Sequence, residues 1–325
     1  MTVNGILPLV KPGGMTSHDV VIFIRKTLGM RRVGHTGTLD PDATGVLVML
    51  LGKATRLMQF MVTLPKTYIA EIVIGITTDT LDASGRVVSR TEGVNIPKER
   101  FLEALSDFQG EIWQIPPMVS AVHHKGQRLY ELARAGMETK REPRRVHIYR
   151  LSVQSWPEDE FLTLGDRVSV LAECSSGTYV RQLAADIGER LSCGAHVGSL
   201  SRTKVGDLDI ASCHTLEEIE EAVSDGRIAD KVLPMSAGLS HLPSVVLDDH
   251  DVDARWRLSH GTPYPAGDLL LKIKGKETSQ VEDGDLVSVV ESSGDVICVA
   301  KREISEGRDY LQPISVFAQG YGDGG

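Results

Sequence analysis

Gly34-His35-Thr36-Gly37-Thr38-Leu39-Asp40-Pro41 leads through Asp42-Ala43-Thr44-Gly45 into the apolar run Val46 to Leu51. The loop is tight and polar and ends on one carboxylate. Glycine loses more backbone freedom on ordering than any other residue. Two glycines, two threonines and a histidine around a lone aspartate are therefore an expensive way to make an ordinary turn. An aspartate before proline also occurs in plain Asx turns. The loop reads either as such a turn or as a mount that fixes Asp40, and its composition favours the mount.

The flanking segments alternate between helix and strand signals. Ile6 to Val10 reads as a short strand, followed by the turn Lys11-Pro12-Gly13-Gly14. Ser17 is placed to cap a helix with Val20, Val21, Ile24 and Leu28 on its apolar face, ending near Gly29. Beyond the loop, Tyr68 to Ile76 alternates as a strand does, and Asp79 to Gly85 is rich in turn residues. Pro97 opens a helix through Phe108, closed by Gly110. Ile112 to Ile115 is extended, and Leu129 to Ala135 reads as a short helix capped by Gly136. Val146 to Trp156 and Val168 to Cys174 read as strands. A helix starts at Gly177-Thr178 and runs to Leu191, and Val197 to Ile210 is extended. Thr215 and Glu218 have capping-box spacing for another helix.

After about Val246 the texture changes. A helix over Val252 to Ser259 precedes strand-like segments at Leu269 to Ile273, Leu286 to Val290 and Val296 to Lys301. Such a module is small enough to need a neighbour. The expected division is residues 1–243 for the main domain, 244–317 for the C-terminal module and 318–325 for a disordered Gly-rich tail.

Composition narrows the function classes. At 325 residues, 41% hydrophobic and 24% charged, the chain has room for two globular domains. A net charge of −9 argues against a general nucleic-acid coating protein, and 5% aromatics argues against a surface of base-stacking rings. Charge is unevenly spread: Lys125, Arg128, Arg134, Lys140, Arg141, Arg144, Arg145 and Arg150 face only Glu131, Glu138 and Glu142 in their stretch. That stretch is either a polyanion-binding face or a solvated basic helix-loop. Cys174, Cys193, Cys213 and Cys298 form no CxxC pair, so no metal site or disulfide framework is expected and a reducing, cytoplasmic setting is the simpler reading. No signal peptide and no membrane span are expected, since Gly52, Lys53 and Arg56 interrupt the most apolar stretch. No dinucleotide fingerprint, phosphate-cradling loop or HExxH is present.

Gly34-His35-x-Gly37-Thr38-Leu39-Asp40-Pro41, continued by Ala43-Thr44-Gly45-Val46-Leu47, resembles the catalytic loop of the TruB-type pseudouridine synthases. The phosphatase-type loop Asp-x-x-Gly-Thr-Leu does not fit, because Gly34 and His35 stand where its nucleophilic aspartate would be. The resemblance extends to Lys11-Pro12-x-Gly14-Met15-Thr16-Ser17, Lys66-x-Tyr68, Thr78-Asp79-Thr80-x-Asp82-x-x-Gly85, Pro116-Pro117-Met118-x-Ser120-Ala121, Tyr130-Glu131-x-Ala133-Arg134-x-Gly136, Gly177-Thr178-Tyr179-x-Arg181 and Gly194-Ala195-His196. It covers about the first 240 residues, and the C-terminal module resembles a PUA-like domain. Val119 departs from the pattern, where an aromatic is common.

The resemblance implies an α+β fold: a mixed, mostly antiparallel central sheet flanked by helices, with a central active-site cleft and an RNA-gripping insertion near 122–146. It implies isomerisation of uridine to pseudouridine at position 55 in the T-loop of tRNA. Asp40 would be the essential carboxylate, acting as a nucleophile or as a base at the sugar. Arg181 would hold its charge. Tyr68 would stack on the base and relay the C5 proton. Tyr179 would order Tyr68 or the Arg181–Asp40 pair, and Leu200 would wall the pocket. His35 would enter the RNA where the target base has been extruded. Lys11, Lys125, Arg144 and Arg145 would contact phosphates. The chemistry is redox-neutral, so no cofactor or metal is expected. A monomer acting on the tRNA T-arm without a protein partner is the expected working form. The rivals are a guide-RNA-dependent synthase of the same superfamily and an RNA-binding protein whose catalysis is lost.

Overall fold

The computed structural model describes residues 3–118, 123–124, 127–128, 141–274, 281–305 and 307–318. The apolar run after the Asp40 loop forms strand β3 (Thr44–Leu51), and its two faces enter two different cores. Val46, Val48 and Leu50 join one cluster with Leu57 and Phe60; Leu47, Met49 and Leu51 join another with Val20, Ile24 and Ile219. A strand covered on both sides is continuously apolar instead of alternating. Each such side chain contributes about 1.5–3 kcal/mol when fully buried, so β3 is a rigid base for the loop preceding it.

β3 belongs to a nine-stranded sheet. Its other strands include β1 (Gly5–Lys11), β2 (Val33–His35), β4 (Lys66–Ile74), β5 (Gly110–Gln114), β6 (Arg144–Ser155), β7 (Arg167–Cys174) and β8 (Ala195–Val205). The main path runs β1-β3-β8-β4-β7-β6-β5. Its pairings are antiparallel except β3 with β8, where Thr44 meets Ser201 and Gly45 meets Arg202. One edge of β3 is covered by β1 along its length. The other edge changes partner: β8 pairs near Thr44, while β2 pairs further on, His35 opposite Met49 and Val33 opposite Leu51. The Asp40 loop fills this split. Helices pack on the sheet: α1 (Ser17–Leu28), the short α2 (Met58–Met61), α3 (Lys98–Asp107), α4 (Val180–Arg190) and α5 (Leu216–Ser224).

Most element readings agree with the structure, with several corrections. The cap of α1 is Thr16, whose side chain accepts from Asp19 N while Asp19 accepts from Thr16 N. Ser17 is instead buried, with its Oγ accepting from Leu39 N at 2.9 Å, so it ties the helix start to the Asp40 loop. α3 ends at Asp107 with Phe108 as its cap, and Gly110 opens β5 at φ +89°. The helix after Gly177-Thr178 begins at Val180 with Tyr179 as its cap. The expected helix over Leu129 to Ala135 and residues 319–325 of the expected tail lie outside the described residues.

The C-terminal module contains a six-stranded sheet. Ser244–Leu247 pairs in parallel with Leu286–Glu291, which pairs with Val296–Ser305 and onward to Arg308–Val316, a strand the sequence reading did not anticipate. The segment read as a strand over Leu269 to Ile273 is a helical turn, Gly267–Leu270, before the short strand Ile273–Lys274. The consecutive Leu269 and Leu270 are both buried, which a half-exposed strand does not allow. Val290, Val296, Val299 and Phe317 share a core with Ile6, Val48 and Leu57 of the main sheet. That shared core is the company the small module needs. Among the described residues, no helix is long and apolar enough to cross a membrane.

Candidate active site

The loop between β2 and β3 is fixed from four directions. Thr36 N donates to Val48 O at 3.1 Å, Ser17 holds Leu39, and Ala43 N donates to Asp40 O at 3.2 Å. The fourth anchor is Lys11. It is fully buried, and its Nζ donates to Pro12 O, Met15 O and Pro41 O at 2.7, 2.6 and 2.8 Å. This corrects the expectation that Lys11 contacts RNA phosphates: all three ammonium protons are already placed on carbonyls. Burial lowers its pKa to about 8, with Asp42 and Asp40 opposing. Lys11→Met leaves three carbonyls unsatisfied and is expected to destabilise the fold by about 2–4 kcal/mol in chemical denaturation. The salt slope of RNA binding by the folded variant should stay unchanged, which a phosphate-contacting lysine would not allow.

The floor of the loop is Arg202, which the sequence reading missed. Only 2% exposed, it donates from Nε to Val46 O (2.8 Å), from one terminal nitrogen to Gly37 O (3.0 Å) and from the other to Thr38 O (3.5 Å). Gly45 sits against its backbone at φ +100°, and a Cβ there would lie 2.2 Å from Arg202 O. No other residue type fits this crossing. A signal was available in the sequence: Arg202 is two residues beyond Leu200 on one strand, so both face the same side.

Asp40 projects from this frame into a cleft of about 350 Å³, whose lining includes Tyr68, Tyr179, Arg181, Leu200 and Arg202. Arg181, in the first turn of α4, contacts both carboxylate oxygens of Asp40, Nε to Oδ2 at 3.0 Å and NH2 to Oδ1 at 3.2 Å. Its remaining nitrogen donates to Asp82 Oδ2 (3.1 Å) and Thr80 O (2.9 Å). The Arg181 side chain is 5% exposed and that of Asp40 is 42%. The guanidinium is thus sunk into protein while one edge of the carboxylate stays open to a substrate. Asp82 is held by Thr80 Oγ1 at 2.6 Å and by Ser84 N at 3.1 Å. Asp82 stands in one of the quoted motifs but received no role from sequence. Its contact to Arg181 spans 99 positions, and no local pattern announces it.

Desolvation raises the Asp40 pKa above the ordinary carboxylate value; Arg181 opposes this, Asp82 adds to it and Lys11 opposes it. The residue is therefore more basic than a surface aspartate, while the guanidinium beside it favours the ionised form. Tyr68, half-buried on β4 opposite Arg202 in the β4–β8 register, has its pKa raised by burial and opposed by the Arg202 charge and hydrogen bond. Tyr179 caps α4, exchanging backbone hydrogen bonds with the Gln114 side chain at 2.7 and 3.1 Å, and adds to the cleft lining. Leu200 packs against the main core and walls the cleft.

His35 lies on β2, half-buried, with Nδ1 accepting from Gly37 N at 3.3 Å. Burial first, then the Arg202 charge, lowers its pKa, which favours a neutral ring. Arg144 and Arg145 are exposed at the start of β6. Arg145 is ion-paired with Glu111 and lies 5.9 Å over the Trp113 ring. Lys125 and most of the insertion near 122–146 lie outside the described residues. Among the described residues no cluster of His, Cys, Asp and Glu could hold a metal ion.

Comparison with known proteins agrees with this geometry. Residues 25–180 match the model of the TruB family pseudouridylate synthase N-terminal domain, and residues 181–240 match the tRNA pseudouridylate synthase B C-terminal domain. A tRNA pseudouridine synthase B of Dehalococcoides mccartyi is 43% identical over 249 residues, 77% of this chain and 81% of that protein. One from Bacillus pumilus is 37% identical over 98% of both chains. A solved structure described as a Cbf5-Nop10-Gar1 complex superposes with a TM-score of 0.71 at 28% identity, covering 97% of this chain and 85% of that one. These matches define an RNA-modifying isomerase. The chain belongs to the TruB family of pseudouridylate synthases.

Proposed function

We propose that the chain converts uridine 55 in the T-loop of tRNA to pseudouridine, with Asp40 as the essential carboxylate. The observation that carries this reading is the Asp40–Arg181 pair: a carboxylate held at both oxygens by a buried guanidinium, at the mouth of a cleft sized for one nucleotide. The C1′–N1 bond breaks, the freed uracil turns, C5 bonds to C1′ and gives up its proton, and N1 ends protonated, so the product is an isomer. No electrons enter or leave, so no redox partner is needed. Asp40 meets the sugar, as nucleophile or as base. Arg181 keeps it ionised, and Tyr68 covers the base and passes on the C5 proton. Leu200 and Tyr179 keep water away from the detached base. His35 fills the gap left by the extruded nucleotide. Residues 1–243 carry the catalysis, and 244–317 form an RNA-binding module.

The relatives named tRNA pseudouridine synthase B support the choice of tRNA. Their identities exceed the 24–28% shared with the Cbf5 complexes, which favours a form that acts as a monomer on bare tRNA in the cytoplasm, without guide RNA or a protein partner. The test is to incubate the purified chain with an unmodified tRNA transcript and map pseudouridine. Formation at position 55 is expected. No product on bare tRNA, with product restored by a guide RNA, would overturn the stand-alone assignment.

A further inference from the structure

Lys66, the first residue of β4, stands in the quoted motif Lys66-x-Tyr68 and has no task in the mechanism so far. It is only 7% exposed, yet it lines the catalytic cleft. Its Nζ donates to Val62 O at 2.6 Å. An ammonium carries three donors, and among the described residues no second acceptor receives them. Burial lowers its pKa to about 8; the Arg202 charge adds to this and Cys174 opposes it. No carboxylate is among the charges that act on it. A buried cation with spare donors and no counter-charge is costly, and a partially negative oxygen entering the cleft relieves that cost. The other cations of the lining are committed. Arg181 serves Asp40, Asp82 and Thr80 O, while Arg202 serves Val46 O, Gly37 O, Thr38 O and the Tyr68 hydroxyl.

The order of residues along β4 says which oxygen arrives. Asp40 is tied through Arg181 to Asp82, and Asp82 bridges to Val197, which is opposite Ile72 of β4. Tyr68 comes next, opposite Arg202, and Lys66 lies beyond it, opposite Val205 and Cys174. Lys66 is two residues from Tyr68 and on the same face, about 7 Å further from the Asp40 end. The charges agree with this order. Asp40 and Cys174 both act on Tyr68, while Asp40 and Lys66 are absent from each other's surroundings.

With the sugar at Asp40 and the base over Tyr68, the edge of the uracil farthest from the sugar therefore meets Lys66. In uridine the sugar is on N1 and C4 stands across the ring, so the far oxygen is O4. After the base has turned, the sugar is on C5 and C2 stands across from it, so the far oxygen is O2. One fixed donor meets a carbonyl in both orientations.

We propose that Lys66 Nζ hydrogen-bonds the uracil carbonyl farthest from the sugar and stabilises the charge of the detached base. This role rests on the uridine-isomerising reading and supplies the cation which that reading leaves out for the leaving base. When the C1′–N1 bond breaks, its electron pair stays on N1 and spreads to O2 and O4. C1′ is satisfied by Asp40 directly, or by the electron pair of a C2′–H bond whose proton passes to Asp40 and returns when C5 bonds. Lys66 donates a hydrogen bond throughout and transfers no proton.

The test compares two substrates on one variant. Fluorine at C5 withdraws electrons and makes the uracil anion a better leaving group, so 5-fluorouridine needs less help from a cation. Lys66→Met and Lys66→Gln are run in single turnover on tRNA with one labelled uridine or 5-fluorouridine at position 55, and loss of the N-linked nucleoside is followed after digestion. The expected result is a rate about a hundredfold lower on uridine, about tenfold lower or less on 5-fluorouridine, and tRNA binding within about twofold of wild type. The ratio of the two rates does not depend on the fraction of protein that is folded, so a variant that folds poorly still decides the question. An equal loss on both substrates would reduce Lys66 to an anchor for Val62 and overturn the proposal. So would a rate on uridine within about threefold of wild type. A wild-type chain that consumes neither nucleoside would overturn the uridine-isomerising reading, and this role with it.

Discussion

Asp40→Asn is expected to lower pseudouridine formation by about ten-thousand-fold or more, with tRNA binding retained. The argument is local. Asparagine keeps the shape of the side chain and still presents an oxygen to Arg181, so the loop anchored by Ser17, Lys11 and Arg202 has no reason to move. What is lost is the charge and the electron pair that the sugar needs. Among the described residues lining the cleft Asp40 is the one carboxylate, and Asp82 behind it is engaged by Thr80, Ser84 and Arg181. Single-turnover release of the C5 hydrogen measures the chemistry, and filter binding measures the RNA. A variant that makes product at the wild-type rate would remove Asp40 from the mechanism. A variant that loses binding and product together would make the residue an RNA anchor instead.

The loop could be read from sequence because its signals are local. Glycines at fixed offsets, the aspartate before proline and the apolar run behind them each have a backbone reason, and the structure uses them as a mount on a doubly buried strand. The central sheet and its flanking helices were legible for the same reason. Three features were not. Asp82 acts through a contact across 99 positions, and a carboxylate in a turn has many ordinary uses. Lys11 was assigned to phosphates as part of what the family resemblance implies. Its position two residues beyond Leu9 on the same strand, in line with Leu7, was the sign that it points inward. Arg202 was hidden for a related reason: a strand arginine reads as surface until its parity with Leu200 is followed into the cleft. Lys11 and Arg202 are buried because backbone carbonyls receive their protons, among them Pro41 O and Val46 O, 30 and 156 positions away. Composition cannot reveal such partners; strand parity can reveal the direction.

Arg181 gives the second large effect, and its test is a pH profile. Arg181→Lys keeps one positive charge but loses the planar fork that touches both Asp40 oxygens while also reaching Asp82 and Thr80. A single ammonium cannot span those acceptors, and kcat should fall by about a hundred- to a thousand-fold. Arg181→Met should fall further and lose about 3 kcal/mol of stability, because two carboxylates then share the site without a cation. The direction with pH follows from the charge balance. Asp40 must be ionised to act, so activity is lost as pH falls through its pKa in the folded enzyme. Burial has already raised that pKa above the ordinary aspartate value, and Arg181 is the main influence lowering it. Removing the guanidinium raises it further, so the acid limb of the rate profile moves to higher pH in Arg181→Lys and further in Arg181→Met. Part of the lost rate should return as the pH is raised. A merely structural arginine would lower the rate uniformly and leave the limb where it was. An unmoved limb would therefore separate Arg181 from the ionisation of Asp40, even if kcat collapsed.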